Sequence, residues 1–309
     1  MAQTQIPSSY VLSPDVARAL RGGHPLVALE SAVITHGLPR PENLRLAQAL
    51  EQMVREQGAS PATVALLDGK VHVGLSETEL ERLANEDGAR KISRRDFSIA
   101  LARGENGGTT VAGTLIAARQ AGIRVFATGG IGGVHRNAPF DVSADLPELG
   151  RSPLVVVCAG AKSILDLPAT LEVLETMGVA VLGYQTDDFP AFYSASSGLP
   201  VNVRVESAQD VVRIARAQWQ MGLESALLVV QPPPAEAALA EEQVEEAISA
   251  ALAEAEQNHI RGAAVTPFLL ERVSRLSGGA SLQANLALLE NNARLAARIA
   301  VALQPRSYI

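Results

Sequence analysis

Lysine is rare in this sequence, and one lysine occupies a position suited to covalent chemistry. Only three of the 26 basic residues are lysine: Lys70, Lys91 and Lys162. A lysine amine can form an imine with a carbonyl once burial or a neighbouring cation lowers its pKa, whereas arginine stays protonated. Lys162 comes directly after an apolar strand, and open α/β sheets bind ligands at the carboxyl ends of strands. Lys162 is therefore a candidate nucleophile, although a solvated strand-end lysine would fit the same position. Lys70 lies in a tight turn and is expected only to be solvated.

Glu30 is a carboxylate within an otherwise apolar stretch. The run 26–34 predicts a strand, and its pattern gives no reason for a charged residue at this position. Burial would raise the pKa of a carboxyl there and let it act as a general acid near neutral pH. The alternative is a structural carboxylate, and both interpretations require a partner because an unpaired buried charge is costly.

Two glycine-rich stretches could bind a phosphate through backbone amides. Residues 104–110 are expected to open a helix, and residues 128–135 follow a strand. Neither stretch matches the phosphate-binding loop or the dinucleotide fingerprint, and glycine-rich turns are often only turns. Lys91, Arg94 and Arg95 would add positive charge nearby, the alternative being an ordinary solvated face.

Asp141 and Asp145 follow the second glycine stretch and are candidate metal-site residues. A carboxylate with hydroxyls and water suits a hard divalent ion such as manganese or magnesium. Helix capping by either aspartate is the alternative. The five histidines show no metal-ligand spacing.

The elements that would position these residues alternate between strands and helices. Short β-branched runs separated by longer helical patterns predict an α/β fold, a three-layer α/β/α arrangement with a mainly parallel central sheet. No linker marks a boundary, so residues 1–309 are expected to form one domain. The strands are expected at 26–34, 63–67, 71–75, 123–128, 154–159, 179–184 and 226–230. The helices are expected at 41–57, 109–121, 207–221, 236–257, 267–276 and 282–303, with one more that ends at Met177 and one that begins at a capping box of Ser76 and Glu79.

Composition limits the class of protein. A hydrophobic content of 47% is ample for a large core. A net charge of −7 and 4% aromatic residues argue against a nucleic-acid-coating protein, which would need a basic surface or stacking platforms. No signal peptide or membrane-length apolar run is present, which predicts a cytoplasmic protein. The single cysteine, Cys158, lies in an apolar run and is expected to be a core residue.

Several long strings resemble the pseudouridine-5'-phosphate glycosidase family, which includes proteins called indigoidine synthase A-like. They include ALESAVITHGLP at 28–39, FATGGIGGVHR at 126–136 and VCAGAKSILD at 157–166. The resemblance covers nearly the whole chain. Further matching strings lie at 93–96, 106–112, 141–146, 183–186, 189–192, 197–200, 266–270 and 281–285.

The resemblance implies a homotrimeric enzyme with bound manganese that reversibly converts pseudouridine 5'-phosphate and water to uracil and ribose 5-phosphate. Carried onto matching positions, it makes Glu30 the proton donor, Lys162 the covalent nucleophile and Asp141 the metal-site carboxylate. The remaining matching positions imply substrate contacts at Lys91, Val111, His135, Ser143, Ala144, Asp145 and Asn285.

Two other functions fit parts of the sequence. A Schiff-base aldolase acting on a phosphosugar would use a strand-end lysine equally well, and release of uracil would separate the two enzymes. A nucleotide-binding regulatory module would need only the glycine stretches. Such a module gives no reason for Glu30 and Lys162 together.

Overall fold

The computed structural model describes residues 6–136, 138–260 and 265–304. Within these ranges the chain is an α/β protein, with a large and mainly parallel sheet surrounded by helices. The strands are β1 (Tyr10–Leu12), β2 (Leu26–Leu29), β3 (Ser60–Leu67), β4 (Lys70–Val73), β5 (Arg90–Ile92), β6 (Gly107–Thr109), β7 (Val125–Ala127), β8 (Val134–His135), β9 (Ala138–Val142), β10 (Val155–Cys158), β11 (Leu165–Asp166), β12 (Ala180–Tyr184), β13 (Val203–Val205) and β14 (Leu227–Val230).

Helices connect most of these strands and pack around the sheet. The predicted α/β class is confirmed. The helices are α1 (Pro14–Gly22), α2 (Glu42–Glu56), α3 (Glu77–Asn85), α4 (Phe97–Arg103), α5 (Val111–Ala121), α6 (Asp145–Leu149), α7 (Leu167–Thr176), α8 (Ala208–Gln220), α9 (Glu241–Gln257), α10 (Val265–Leu276) and α11 (Ala280–Ala302).

The main sheet has the strand order β1-β4-β3-β2-β7-β10-β14-β12-β13, and β6 joins β5 to β3 beside this path. Strands β2, β7 and β10 are parallel neighbours near its centre. Every residue of these three strands is buried, as is typical of parallel strands covered on both faces. A second, smaller sheet contains β11, β8 and β9.

The centre of the sheet is covered by the long helix α11, which packs on β2, β7 and β10, while α5 also contacts β2. Cys158 ends β10 and is fully buried, as expected, and this burial raises the pKa of its thiol to about 12. None of the helices within the described ranges combines the length and apolar character needed to cross a bilayer.

Short sequence motifs in the first third of the chain mark one β-hairpin and the start of one helix. Asp68 and Gly69 both have positive φ, 50° and 68°, as the two-residue turn between β3 and β4 requires. Lys70 is exposed after this turn, as expected. Ser76 and Glu79 form the predicted capping box of α3.

The prediction of a strand through residues 26–34 is wrong beyond Leu29. The Ser31 hydroxyl donates to the carbonyl of Val64, and the Ser31 carbonyl accepts the amide of Thr35 at 3.1 Å. The chain therefore turns into a π-helical segment, Val33–Gly37, instead of continuing the strand. Glu30 consequently lies just after the end of β2 and not within it.

Several other boundaries differ from the prediction, and two of them have a clear structural cause. Residues 107–109 form β6 between β3 and β5, so the first glycine stretch extends the sheet before α5 begins. Helix α9 begins at Glu241 and not near residue 236, because Ala237 and Ala238 both donate to the Pro234 carbonyl in a turn. Both differences arise from backbone hydrogen bonds that the spacing of apolar residues does not predict.

Candidate active site

Three neighbouring parallel strands carry the candidate chemistry at their carboxyl ends. Glu30 follows β2, Thr128 follows β7, and the loop after β10 leads to Lys162. Parallel strands end at the same edge of a sheet. Thr128 therefore comes close to Glu30, which is 98 positions earlier in the sequence, and to Lys162, which is 34 positions later.

Glu30 has the partner that its position requires. Its Oε1 atom accepts a hydrogen bond from the Thr128 hydroxyl. Burial raises the pKa of the Glu30 carboxyl, while the positive charge of Lys162 and the hydrogen bond from Thr128 act in the opposite direction. A carboxyl with a raised pKa retains its proton closer to neutral pH and can donate it to a substrate.

Lys162 lies on a short loop that the glycine-rich segment holds in place. Its amide donates to the Ile131 carbonyl at 3.1 Å, and the Ile131 amide donates to the Gly160 carbonyl at 3.1 Å. Gly160 has a φ of +85°, and a Cβ atom there would collide with the Pro190 carbonyl. The loop conformation thus depends on glycine two residues before the half-buried lysine.

Arg136 holds the segment that follows Lys162 through hydrogen bonds to its backbone. Its guanidinium donates to the Ser163 carbonyl at 2.8 Å and to the Leu165 carbonyl at 3.1 Å. The same guanidinium forms an ion pair with Glu245 of α9. Arg136 therefore links the segment that follows Lys162 to a helix of the C-terminal third.

Lys91 adds a second amine to the site. It lies on β5 beside Gly108 of β6. Burial lowers the pKa of Lys91, and the charge of Lys162 lowers it further, whereas Asp145 and Glu30 act in the opposite direction. A bound anion near the two lysines would remove this repulsion, which suits the site to a phosphate ester.

Asp145 joins the two glycine stretches. Its carboxylate accepts the Ala112 amide at the start of α5 and the Gly132 amide of the second stretch, each at 2.8 Å. Only 6% of Asp145 is exposed. The Ala112 amide at the start of α5 therefore faces an anion of the protein itself and is not free for a bound phosphate. The Gly113 amide is also engaged, by the Thr110 hydroxyl at 3.2 Å.

The other predicted site residues lie on elements or loops that also carry members of this cluster or their partners. Ser143 donates its amide to the Gly133 carbonyl and accepts the Asp145 amide on its hydroxyl. Val111, at the start of α5, is 2% exposed. Ala144, which follows Ser143 in the chain, is exposed, and Asn285 on α11 is half-buried. His135 is half-buried on β8, opposite Leu165.

Asp141 is exposed on β9. Among the described residues, no group of three histidine, cysteine, aspartate or glutamate side chains could enclose a metal ion. A single exposed carboxylate does fit a hydrated hard cation, since magnesium-like ions keep several waters and bind through one or two carboxylates.

Sequence reasoning missed three residues of this site. Thr128 bonds Glu30, Arg136 holds the lysine loop, and Asn292 of α11 is 1% exposed beneath the glycine stretch. A signal existed for Asn292, because it is a polar residue among the apolar positions of a helix. The partners of all three are distant in sequence and could not be identified from spacing.

The sequence matches the model of the family described as indigoidine synthase A like protein over residues 15–302. It is 55% identical to the pseudouridine-5'-phosphate glycosidase of Herpetosiphon aurantiacus, over 96% of this chain and 98% of the relative. It is 51% identical to the pseudouridine-5'-phosphate glycosidase of Caldanaerobacter subterraneus subsp. tengcongensis, over 94% of this chain and 96% of the relative.

Two solved structures are similar over nearly the whole fold. The indigoidine synthase A-like protein of Thermotoga maritima matches with a TM-score of 0.88 and 39% identity, covering 96% of this chain and 97% of the other. The prealnumycin C-glycosynthase AlnA, in complex with ribulose 5-phosphate, matches with a TM-score of 0.89 and 42% identity, covering 96% of this chain and 98% of the other.

Proposed function

Because the chain belongs to the indigoidine synthase A-like family, we propose that it is a pseudouridine-5'-phosphate glycosidase. It reversibly converts pseudouridine 5'-phosphate and water to uracil and ribose 5-phosphate. The observation that carries this function is the pairing of Glu30, a carboxyl with a raised pKa, with Lys162 at the ends of strands on either side of β7. Similarity to a C-glycosynthase supports reversibility, since that name describes formation of a carbon–carbon glycosidic bond.

The bond to be broken requires an unusual route. Ordinary glycosidases protonate an oxygen leaving group and use a second carboxylate as nucleophile or base. In pseudouridine the leaving atom is carbon 5 of uracil, which cannot depart in that way. An amine at carbon 1' solves the problem, because its lone pair can form a carbon–nitrogen double bond as the carbon–carbon bond breaks.

In the proposed mechanism, Glu30 protonates the ribose ring oxygen as the bond between that oxygen and carbon 1' breaks. The Lys162 amine adds to carbon 1' of the opened sugar, and the proton that it loses returns to the Glu30 carboxylate. The Glu30 carboxyl then protonates carbon 5 of uracil, the bond to carbon 1' breaks, and an imine forms between Lys162 and carbon 1'. Water hydrolyses the imine, which releases ribose 5-phosphate and restores the amine.

The phosphate orients the sugar in this scheme. We assign Lys91 to it, because burial and the neighbouring Lys162 disfavour the charged form of Lys91 until an anion binds. Binding energy from the phosphate, which does not react, places carbon 1' against the amine. Val111, His135, Ser143, Ala144, Asp145 and Asn285 remain proposed substrate-binding residues; for Asp145 the side chain is already engaged by two amides, so it acts by shaping the pocket.

Asp141 would hold the proposed manganese ion through water and one carboxylate. When bound, the ion supplies positive charge that stabilises anionic groups of the substrate. We also propose that residues 1–309 form a single domain, that the protein is a homotrimer, and that it is cytoplasmic. The assembly is supported by the family resemblance.

The purified protein is expected to release uracil from pseudouridine 5'-phosphate and to discriminate strongly against free pseudouridine. Loss of two charge-assisted hydrogen bonds of about 1.5 kcal/mol each would lower kcat/KM about 100-fold. Chromatographic measurement of uracil tests both statements. Equal kcat/KM for the two substrates would contradict the phosphate assignment, and binding without turnover would favour a regulatory module.

Asp141→Ala is expected to lose most activity and to bind Mn²⁺ at least about tenfold more weakly, because the proposed ion then has no protein carboxylate. The side chain is exposed, so Tm should change by no more than about 2 °C. Titration calorimetry with Mn²⁺ measures the binding. Asp15→Ala, at an exposed aspartate of α1, is the matched control. Full activity of Asp141→Ala after exhaustive chelation would refute the metal assignment.

A further inference from the structure

A pair of buried side-chain amides lies directly beneath the site. Asn292 of α11 is 1% exposed and Gln231, just after β14, is 6% exposed. The Gln231 Nε2 atom donates to Asn292 Oδ1 at 3.0 Å. The Asn292 Nδ2 atom in turn donates to the Thr128 carbonyl at 2.9 Å and to the Gly129 carbonyl at 3.3 Å.

These contacts fix the Asn292 amide in one orientation. Its oxygen is occupied by Gln231, so its nitrogen must face the two carbonyls. Gln231 is itself anchored, because its backbone amide donates to the Cys158 carbonyl of β10 at 3.0 Å. The pair thus ties α11 and the ends of β10 and β14 to the point where β7 becomes the glycine-rich segment.

The peptide held in this way belongs to the residue that bonds the proton donor. The Thr128 amide donates to the Val157 carbonyl, and the Asn292 amide engages the Thr128 carbonyl. Both sides of the residue are therefore fixed, which directs its hydroxyl to Glu30. Asn292 itself touches neither Glu30 nor Lys162 through any hydrogen bond of the described residues.

We propose that Asn292, supported by Gln231, is a positioning residue that acts on Glu30 through Thr128. The proposal rests on the assignment of Glu30 as the proton donor of the glycosidase. Removal of the Asn292 amide frees the Thr128 peptide, weakens the hydroxyl contact and leaves Glu30 misplaced for proton transfer to the sugar. Substrate binding, which depends on the phosphate and the lysines, is unchanged.

The test compares Asn292→Leu with the wild-type enzyme. We expect kcat for uracil release to fall about tenfold and KM to stay within about twofold, because a contact used only in proton transfer is lost. Glu30 faces Lys162, Asp145 and Lys91 as well as Thr128, and these charges are unchanged in the variant. Loss of the Thr128 hydrogen bond alone should therefore shift the alkaline limb of the kcat profile to higher pH.

A double-mutant cycle separates positioning from general destabilisation. In a Thr128→Val background the hydroxyl is already absent, so adding Asn292→Leu should lower kcat little further. The matched control is Asn291→Leu, at the preceding position of α11, where the side chain is half-buried. This variant should keep wild-type kcat. Additive losses in the cycle, or an unchanged pH profile in a folded Asn292→Leu variant, would overturn the proposal. Absence of uracil release by the wild-type enzyme would instead refute the glycosidase function.

Discussion

Lys162→Arg is expected to abolish uracil release, with kcat falling by at least about 10³-fold, as nucleophile substitutions in enzymes do. Arginine keeps the positive charge but cannot form an imine, so substrate should still bind. Steady-state kinetics and equilibrium binding of pseudouridine 5'-phosphate measure the two effects separately. Lys70→Arg, at the exposed lysine after the β3–β4 turn, is the control and should retain full activity.

A covalent adduct gives the more direct measurement. The aldehyde of ribose 5-phosphate should condense with the Lys162 amine and release water, and borohydride should reduce the resulting imine to a stable secondary amine. Peptide mass spectrometry should then find one sugar phosphate on the peptide containing Lys162. An adduct on Lys91 would reassign the nucleophile, and substantial turnover by Lys162→Arg would exclude the covalent mechanism.

Glu30→Gln is expected to lower kcat by about 10² to 10⁴-fold, the range attributed to a general acid, and to stabilise the protein at neutral pH. Glutamine keeps the shape of the side chain but cannot donate an acidic proton. It also avoids the cost of a buried charge, because burial raises the pKa of Glu30. The same substitution should therefore remove activity and raise Tm.

The sign of the stability effect follows from proton binding. Below the unfolded pKa of Glu30, both states carry the proton and wild type and Glu30→Gln should be nearly equal in stability. As pH rises from that value towards the higher folded pKa, the carboxyl ionises in the unfolded state while the native state keeps its proton, so the native state loses stability relative to the unfolded state. The gain in Tm from Glu30→Gln should therefore grow with pH over this interval and then level off.

Calorimetric scans across this pH range measure the gain. Glu51→Gln is the matched control, because Glu51 is a buried carboxylate that accepts from Thr63 and Arg55, both at 2.7 Å, away from the cluster. This control should lose stability and keep activity. A Glu30→Gln variant that is less stable than wild type at neutral pH would show that Glu30 has a mainly structural role.

Glu30 and Lys162 could be singled out from the sequence as candidates because both conflict with their surroundings. Glu30 is a carboxylate in an apolar run, and Lys162 is one of three lysines in a chain that otherwise uses arginine. The buried parallel strands were also predictable, since continuous β-branched runs have few other stable environments. Exact strand ends were not, because Ser31 leaves the strand to bond Val64, a partner 33 residues away.

Long-range polar contacts account for most of what the sequence could not show. Asp145 was predicted as a substrate contact, but whether its carboxylate faces a ligand or the protein depends on the Ala112 and Gly132 amides. The same holds for Asn292 and Thr128, which are 164 residues apart in the chain. Periodicity reports which face of an element is buried and carries no information about such pairings.

The placement of Glu30 and Lys162 beyond β2 and β10, with β7 between them, has a consequence for engineering. Neighbouring strands lie about 4.8 Å apart, so the two outer strands are separated by about 10 Å, a spacing set by main-chain hydrogen bonds. Substitutions on the outward faces of the surrounding helices leave that spacing intact. Thermostability and substrate range are therefore separable design variables in this scaffold: the first can be tuned on the outward faces of the helices, and the second at the proposed substrate-binding positions.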